Sequence, residues 1–153
     1  MRLLILFVAA VFTVLACDCV APPIEMAMKD ADLIFRGKIL DLRPGLNPPL
    51  LQGVVRDTRK VVVFQVIRVW KGEIGPTFEM PGWEETSACV GFWPSFLKVG
   101  TELLVYAKRW PRSANSPSSF FPDVFATSIC SRTAPVGRTR DIEELGRGYP
   151  PRK

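Results

Sequence analysis

Two stretches of the chain have hydrophobic and polar positions arranged as in β-strands. In Leu33 to Leu40 the apolar positions repeat every two residues, while Arg36 and Lys38 point to the opposite face. This pattern predicts a strand with one face in contact with solvent, and Gly37 predicts a bulge or sharp bend within it. Val61 to Trp70 is rich in β-branched residues and nearly apolar on both faces. This second stretch predicts a strand that is covered on both sides.

Three further segments have a strand-like composition but are shorter. They are Thr77 to Met80, Leu103 to Lys108 and Phe125 to Thr127. Short helices are predicted over Ile24 to Ala31, which follows two prolines, and over Asp141 to Leu145. The proline- and glycine-rich residues 43–58 predict a loop or long hairpin tip, and the residues from Gly146 onward predict a loose tail. Five strands separated by turns predict an all-β fold with short flanking helices, arranged as a small closed or partly closed barrel.

The first residues predict an export signal rather than part of the fold. Arg2 is followed by an uncharged apolar run from Leu3 to Leu15. This run is shorter than the roughly 20 residues that a membrane-spanning helix needs. A basic start, an apolar centre and a small-residue end are typical of a secretory signal peptide, with Val14 and Ala16 placed correctly before a cut at Cys17. We therefore expect a signal peptide over residues 1–16 and a secreted protein.

The charge of the chain does not indicate nucleic-acid binding. The formal net charge is +5, but much of the excess lies from Arg132 onward, where basic residues outnumber acidic ones. The rest of the chain is close to neutral, so it offers no extended basic surface to a phosphate backbone. A content of 48% hydrophobic and 23% charged residues suits one core. We expect one domain over residues 17–136, followed by a basic helix and tail over residues 137–153, and no nucleic-acid partner.

The expected mature chain keeps all four cysteines, namely Cys17, Cys19, Cys89 and Cys130. An even number in an exported protein predicts two disulfides, although the sequence leaves three connectivities open. A structural zinc site would need two close pairs, and only the first two cysteines are close in sequence. The chain has no histidine, which excludes histidine-assisted catalysis and the common histidine-based zinc sites. Adjacent Glu84 and Glu85 would not face one another as an acid–base pair, so we expect neither an enzyme nor an intrinsic metal or cofactor.

Five stretches of the sequence share residues with one known family. They are Cys17-Asp18-Cys19-Val20-Ala21-Pro22, Ala31 to Lys38, Val69-Trp70-Lys71-Gly72, Ser87 to Phe92 and Thr127 to Pro135. Together they resemble the N-terminal, inhibitory domain of the tissue inhibitors of metalloproteinases, in a divergent single-domain form of bacterial type. The resemblance runs from Cys17 to about Pro135. It implies a five-stranded OB-fold barrel of the netrin and metalloproteinase-inhibitor type.

The resemblance also implies how such a protein would inhibit. It implies the bridges Cys17–Cys89 and Cys19–Cys130, and a free amine and carbonyl oxygen on Cys17 that chelate the catalytic zinc of a protease. A catalytic zinc keeps one position open for water, which this ligand pair can displace. The residues of the implied inhibitory edge are Asp18, Cys19, Val20 and Ala21 along the protease cleft, with Ser87 and Ala88 beside them. The expected partner is a zinc metalloendopeptidase, bound by a monomer that holds no metal of its own.

The sequence departs from the family pattern at several positions, and these departures limit which proteases it is expected to inhibit. Asp18 stands where the family usually has a small hydroxyl or apolar residue that enters the pocket beside the zinc. A buried carboxylate is costly unless it is paired, so Asp18 predicts either a target with a basic or polar pocket or weak inhibition of ordinary matrix proteases. Ala21 replaces a usual proline, and the third bridge of the inhibitory domain and the cysteine-rich C-terminal domain are missing.

The same cysteine supports a second interpretation. Val14-Leu15-Ala16-Cys17 also resembles a bacterial lipobox, although Leu15 replaces a residue that is usually small. A lipid on the Cys17 sulfur would prevent a bridge to Cys89, and acylation of the amine would remove the zinc ligand. The protein would then be a lipid-anchored OB-fold binding module on a bacterial cell surface, without inhibitory activity. The even number of cysteines favours the free N-terminus.

Overall fold

The chain is mostly β, with one antiparallel sheet of six strands and few helices. A computed structural model describes residues 19–44, 59–83, 89, 91–109 and 125–153. The strands are β1 (Leu33–Pro44), β2 (Arg59–Lys71), β3 (Thr77–Trp83), β4 (Glu102–Arg109), β5 (Phe125–Ala126) and β6 (Ala134–Pro135). The helices are α1 (Ile24–Asp30) and α2 (Asp141–Leu145), and 3-10 turns occur at Pro94–Phe96 and Val136–Arg138. Among these described residues, no helix is both long enough and apolar enough to cross a membrane.

The predicted strands and helices are present, with small differences in their bounds. β1 continues past its predicted end at Leu40 as far as Pro44, so the predicted loop begins later than expected. Residues 45–58 of that loop lie outside the described residues. The two-residue strand β6 was not predicted, because nothing in its composition separates it from a turn.

The strands are ordered β3-β2-β1-β4-β5, and β6 pairs with β4. β1 therefore lies between β2 and β4 and is antiparallel to both. The register of β1 against β2 shifts between Arg36 and Gly37, which confirms the irregularity predicted at this glycine. A Cβ atom at Gly37 would lie only 2.8 Å from a ring carbon of Phe35. The glycine thus leaves room for the ring of Phe35 close to the backbone of its own strand.

The main core lies on one face of the sheet. Its largest fully buried side chains include Phe35, Phe64 and Phe92. The rings of Phe35 and Phe64 meet edge to face, with centroids 5.3 Å apart and planes at 84°. Aromatic pairs in this arrangement contribute about 0.5–1.5 kcal/mol beyond the area they bury. The core therefore draws on neighbouring strands whose apolar positions were visible in the sequence.

A second, smaller apolar cluster covers the other face of the sheet, on β1 and β4. Its buried members are Ala27, Ala31, Ile34, Leu104 and Tyr106, and side chains of α2 pack against them. Consequently β4 is the strand buried on both faces, without interruption over residues 103–107. The prediction that Val61 to Trp70 is covered on both sides is wrong for its second half, where Gln65, Ile67 and Arg68 are exposed. The apolar character of Ile67 does not reflect burial, because the helices pack over β1 and β4 instead.

The residues from Gly146 onward are not a loose tail. Residues 146–152, which we term the C-terminal segment, lie along β2 beyond the point where β3 stops pairing with it. The backbones of Val69 and Tyr149 exchange two hydrogen bonds of 2.8 and 2.7 Å. The indole N–H of Trp70 donates to the carbonyl oxygen of Gly146, and the amide of Arg152 donates to that of Ile74. The segment therefore covers an otherwise open edge of β2.

The two outer strands of the sheet approach one another on the core side. The rings of Phe78 in β3 and Phe125 in β5 have centroids 6.0 Å apart. Within the described residues, these two strands share side-chain packing but no ladder of backbone hydrogen bonds, so the sheet is curved but not closed.

Candidate functional site

A disulfide bond ties the start of the described chain to the turn after β5. Cys19 and Cys130 are bonded, with their Cα atoms 5.0 Å apart and a sequence separation of 111. Cys19 comes shortly before α1, and Cys130 lies in the turn that follows β5. This is one of the two pairings that the resemblance implies. The bond brings residues that precede the first helix to the end of the sheet where β4 and β5 meet.

Cys89 lies beside this bond. The sulfur atoms of Cys19, Cys89 and Cys130 are all within 4.8 Å of one another. Cys89 is itself disulfide-bonded, and the Cys17 half of the implied second bridge lies outside the described residues. The carbonyl oxygen of Cys89 accepts hydrogen bonds from the Ser128 hydroxyl at 2.7 Å and from the amide of Ile129 at 3.1 Å. Sulfurs in disulfides are not thiolates, so the cluster in this oxidised state is a covalent brace rather than a metal site.

Residues 19–22, which we term the N-terminal edge, are held at both ends and exposed between them. The disulfide holds Cys19, and the carbonyl oxygen of Pro22 accepts a hydrogen bond of 2.8 Å from Nη1 of Arg132. Val20 is 92% exposed, and Ala21 is also exposed. Both side chains are therefore exposed to solvent on a segment that is held at its two ends.

A buried ion pair supports the Pro22 end of the N-terminal edge. Nε and Nη2 of Arg132 donate to the two carboxylate oxygens of Asp141, at 2.7 and 2.5 Å. The Tyr106 hydroxyl donates to the same carboxylate at 2.9 Å. Only 3% of the Asp141 side chain and 26% of the Arg132 side chain are exposed. A bidentate pair with this degree of burial has little freedom to rearrange.

Protonation equilibria in this network favour the paired state. Burial acts to raise the pKa of Asp141, but hydrogen bonds from Arg132 and Tyr106 outweigh it and hold the pKa below its ordinary value. Burial, followed by the hydrogen bond to Asp141, raises the pKa of Tyr106. The hydrogen bond to Asp141 likewise raises the pKa of Arg132. At neutral pH the network therefore contains a carboxylate, a guanidinium and a neutral phenol.

Two threonines fix the turn that carries Cys130 and Arg132. The hydroxyl of Thr127 donates to the carbonyl oxygen of Tyr106 at 2.8 Å, and the amide of Tyr106 donates to the Thr133 hydroxyl at 2.9 Å. The two hydroxyl oxygens are 2.7 Å apart. Both side chains are buried, so this turn is fastened to β4 on each side of its two anchoring residues.

The chain shows no match to models of known protein families or to curated proteins.

Four of the predicted site residues, Cys17, Asp18, Ser87 and Ala88, lie outside the described residues. The predicted site residues that the structure does describe lie together at one end of the sheet. They are Cys19, Val20, Ala21, Cys89 and Cys130. The structure contains the implied Cys19–Cys130 bond, whereas the role of these residues as an inhibitory edge stays a prediction.

Sequence reasoning missed Arg132, Asp141 and the two threonines. From the sequence, Arg132 is only one of the basic residues of the tail and Asp141 only the start of a helix. One signal that the sequence does contain is the acidic residue that opens α2, nine residues after an arginine that follows Cys130 by two positions. That signal does not show that Arg132 also reaches Pro22, because the contact spans 110 residues of sequence.

A cavity of about 550 Å³ lies beside Pro22, the last residue of the N-terminal edge. Small residues of α1, β4 and β5, including Ala27, Ala107 and Ala126, line it together with larger polar side chains such as Tyr106 and Arg109. Pro22 therefore borders a cavity on one side and is held by Arg132 through its carbonyl oxygen.

Proposed function

We propose that the protein is an exported inhibitor of a zinc metalloendopeptidase, which acts through the amine and carbonyl oxygen of Cys17 at the start of the mature chain. One observation carries the proposal. The Cys19–Cys130 bond holds Cys19, two residues after Cys17 in the sequence, at the end of the sheet while Val20 stays exposed. A substrate-like segment that is exposed and covalently braced is what an inhibitor of this kind requires.

The chemistry of the proposed contact needs no metal or cofactor in the inhibitor. An α-amino group has an ordinary pKa of about 7.7–8.0, so a useful fraction is neutral and able to bind zinc near neutral pH. The amine and carbonyl oxygen of one residue can form a five-membered chelate ring at the open position of a catalytic zinc. Because the braced segment has little freedom to lose, a larger part of the contact energy would appear as affinity.

The proposal extends to the fold, for which we infer an OB-fold barrel. The strand order β3-β2-β1-β4-β5 would form a closed ring if β5 lay against β3. The contact between Phe78 and Phe125 supports such a closure. Nuclear Overhauser effects between backbone protons of β3 and β5 would establish the closed form, and their absence in well-assigned spectra would favour an open sheet.

Asp18 limits which proteases would be susceptible. Next to the chelating residue, its carboxylate would enter the pocket beside the zinc, where an unpaired charge is costly. We therefore propose a target whose pocket at this position carries a basic or polar side chain. The substitution Asp18→Ser should extend inhibition to proteases with apolar pockets.

The central experiment alters the position of the amine. One alanine inserted before Cys17 should abolish inhibition of a susceptible zinc metalloendopeptidase, while one alanine added after Lys153 should leave it unchanged. Intact mass of the purified exported protein should show a chain that starts at Cys17 with no lipid. Full inhibition by the N-terminally extended protein, or a diacylglyceryl adduct on Cys17, would contradict the mechanism.

A further inference from the structure

Arg132 connects three separate parts of the chain through one side chain. Its Nη1 donates to the carbonyl oxygen of Pro22 at 2.8 Å. Its other two donating atoms bind both carboxylate oxygens of Asp141, the first residue of α2. Arg132 itself lies two residues after Cys130, in the turn fastened to β4. A single guanidinium group therefore links the N-terminal edge, the disulfide-bearing turn and the C-terminal helix.

The disulfide alone does not define the direction of the N-terminal edge. It fixes the edge at Cys19, and the next firmly packed residue along the chain is Ile24 of α1. Between them Val20 and Ala21 are exposed, and Pro22 is only partly buried and borders a cavity. Two side-chain bonds separate each cysteine Cα from its sulfur, so a disulfide permits rotation of the segment that it holds. A second anchor is needed to select one orientation, and among the described contacts Arg132 provides it.

We propose that Arg132 is a positioning residue for the N-terminal edge. It holds Pro22 in place by a hydrogen bond, while the buried carboxylate of Asp141 fixes the orientation of the guanidinium group. This inference rests on the proposed function, because it assigns to Arg132 the orientation in which the edge would meet a protease. It also assigns a role to α2, which lies outside the resemblance to the inhibitor family. An arginine suits this role because its planar fork can bind a carboxylate with two donors and still offer a third to a carbonyl oxygen.

Lysine at position 132 should not be able to perform this positioning role. A single ammonium group carries charge but lacks the fixed fork, so it cannot hold Asp141 with two parallel hydrogen bonds while it reaches Pro22. Arg132→Lys therefore separates the geometry of the contact from its charge. Arg138→Gln is a matched control, because Arg138 is an exposed arginine in the nearby 3-10 turn.

The test measures backbone mobility at the edge by ¹⁵N relaxation, without any protease. In the unaltered protein, we expect order parameters of about 0.85 at Val20 and Ala21, as in rigid backbone. In R132Q and R132K, these values should fall below about 0.6, while those of Val69 and Tyr149 stay unchanged. R138Q should match the unaltered protein at all four positions. Intact mass should show that the disulfides remain formed.

Several outcomes would overturn the proposal. Rigid Val20 and Ala21 in folded R132Q would show that Arg132 does not position the edge, and a uniform loss of order throughout the chain would show a merely structural role. If R132Q does not fold, R132Q/D141N removes both charges and is judged by the same criterion.

A second arm measures inhibition. R132Q should raise the inhibition constant about tenfold, as expected when an ordered segment becomes mobile before binding. Equal inhibition by R132Q and the unaltered protein would overturn the functional part of the inference. If the unaltered protein inhibits no zinc metalloendopeptidase, the proposed function fails, while the relaxation measurement still decides whether Arg132 positions the edge.

Discussion

The N-terminal edge and the C-terminal segment are both attached to the sheet, but different chemical groups hold them. Residues 19–22 are held through side chains, by the Cys19 disulfide and the Arg132 guanidinium. Residues 146–152 are held largely through backbone groups, including the paired amides and carbonyls of Val69 and Tyr149. The first arrangement leaves the edge accessible to a partner. The second uses the hydrogen-bonding capacity of the segment to cover β2.

This difference separates an exposed segment from one whose backbone groups are already paired. A segment that is already paired along a strand offers few backbone groups to another protein. A segment fixed by its side chains can still offer its backbone and its exposed Val20. Variants that release the N-terminal edge should therefore leave the C-terminal segment in place, and the reverse should also hold.

Removal of the Cys19–Cys130 bond should have the largest effect. The double variant C19S/C130S loses a cross-link over 111 residues of sequence. The chain-entropy model assigns about 4–5 kcal/mol to loops of this length. Urea unfolding should show a decrease in the free energy of unfolding of that order, with loss of inhibition. V20A is the control, since a fully exposed side chain should change stability by less than about 0.5 kcal/mol. Equal stabilities of the two variants would show that the bond does not brace the fold.

Asp141→Asn should be the next most damaging change. It leaves the Arg132 guanidinium beside a neutral amide, and one partner of a buried pair is then unpaired. We expect a decrease of about 3 kcal/mol in the free energy of unfolding. The control E143Q changes an exposed acid of the same helix and should be nearly neutral. If D141N frees the C-terminal segment as readily as the N-terminal edge, judged by amide hydrogen exchange at Tyr149, the two ends are not independent.

Gly148→Ala should affect the C-terminal segment alone. Gly148 has a φ of +58°, and an added Cβ would lie 2.8 Å from the carbonyl oxygen of Val69. The left-handed conformation alone costs about 1–2 kcal/mol for alanine. Thermal unfolding should shift accordingly, whereas the control G137A has open space around its Cβ and should be neutral. Inhibition should be unchanged in G148A, and a weaker inhibitor would show that the C-terminal segment supports the N-terminal edge.

A fall in pH should gradually weaken the Arg132–Asp141 ion pair, which supports the N-terminal edge. Because the folded pKa of Asp141 is lowered, its contribution to stability is complete above the unfolded pKa of about 3.9 and is lost as pH falls through the folded value. The stability difference between the unaltered protein and D141N should therefore be constant from pH 7 to about 5. Below about pH 4 it should shrink, by at most about 1.4 kcal/mol for each pH unit. Urea titrations at a series of pH values measure this difference, and a gap that widens in acid would contradict it.

The strands could be predicted because each carries its pattern locally. Alternation in Leu33 to Leu40 and β-branched residues in Val61 to Trp70 depend on neighbours a few positions away. Burial is harder to predict, since Ile67 is as apolar as the core but neither α1 nor α2 covers it. Which face of a strand is covered depends on where the helices pack, and that is decided by the whole sheet.

The contacts that anchor the N-terminal edge likewise depend on residues far apart in the sequence, so the local pattern does not predict them. The disulfide partners were implied by a resemblance, since four cysteines alone leave three pairings open. The Arg132–Pro22 contact could not have been predicted, because its acceptor is a backbone carbonyl that carries no sequence signal. The docking of Tyr149 on Val69 is likewise a backbone interaction, made possible because β2 continues beyond β3.

The Cys19–Cys130 bond also determines when, during synthesis, the N-terminal edge can reach its final position. During synthesis Cys19 leaves the ribosome 111 residues ahead of its partner. At about 5–20 residues per second, roughly 5–20 seconds pass before Cys130 exists. Arg132, the other anchor, is made immediately afterwards. The first described residues of the chain are thus among the last to reach their final position, and a chain cut short before Cys130 would contain the residues of β1 to β5 but neither anchor of the N-terminal edge.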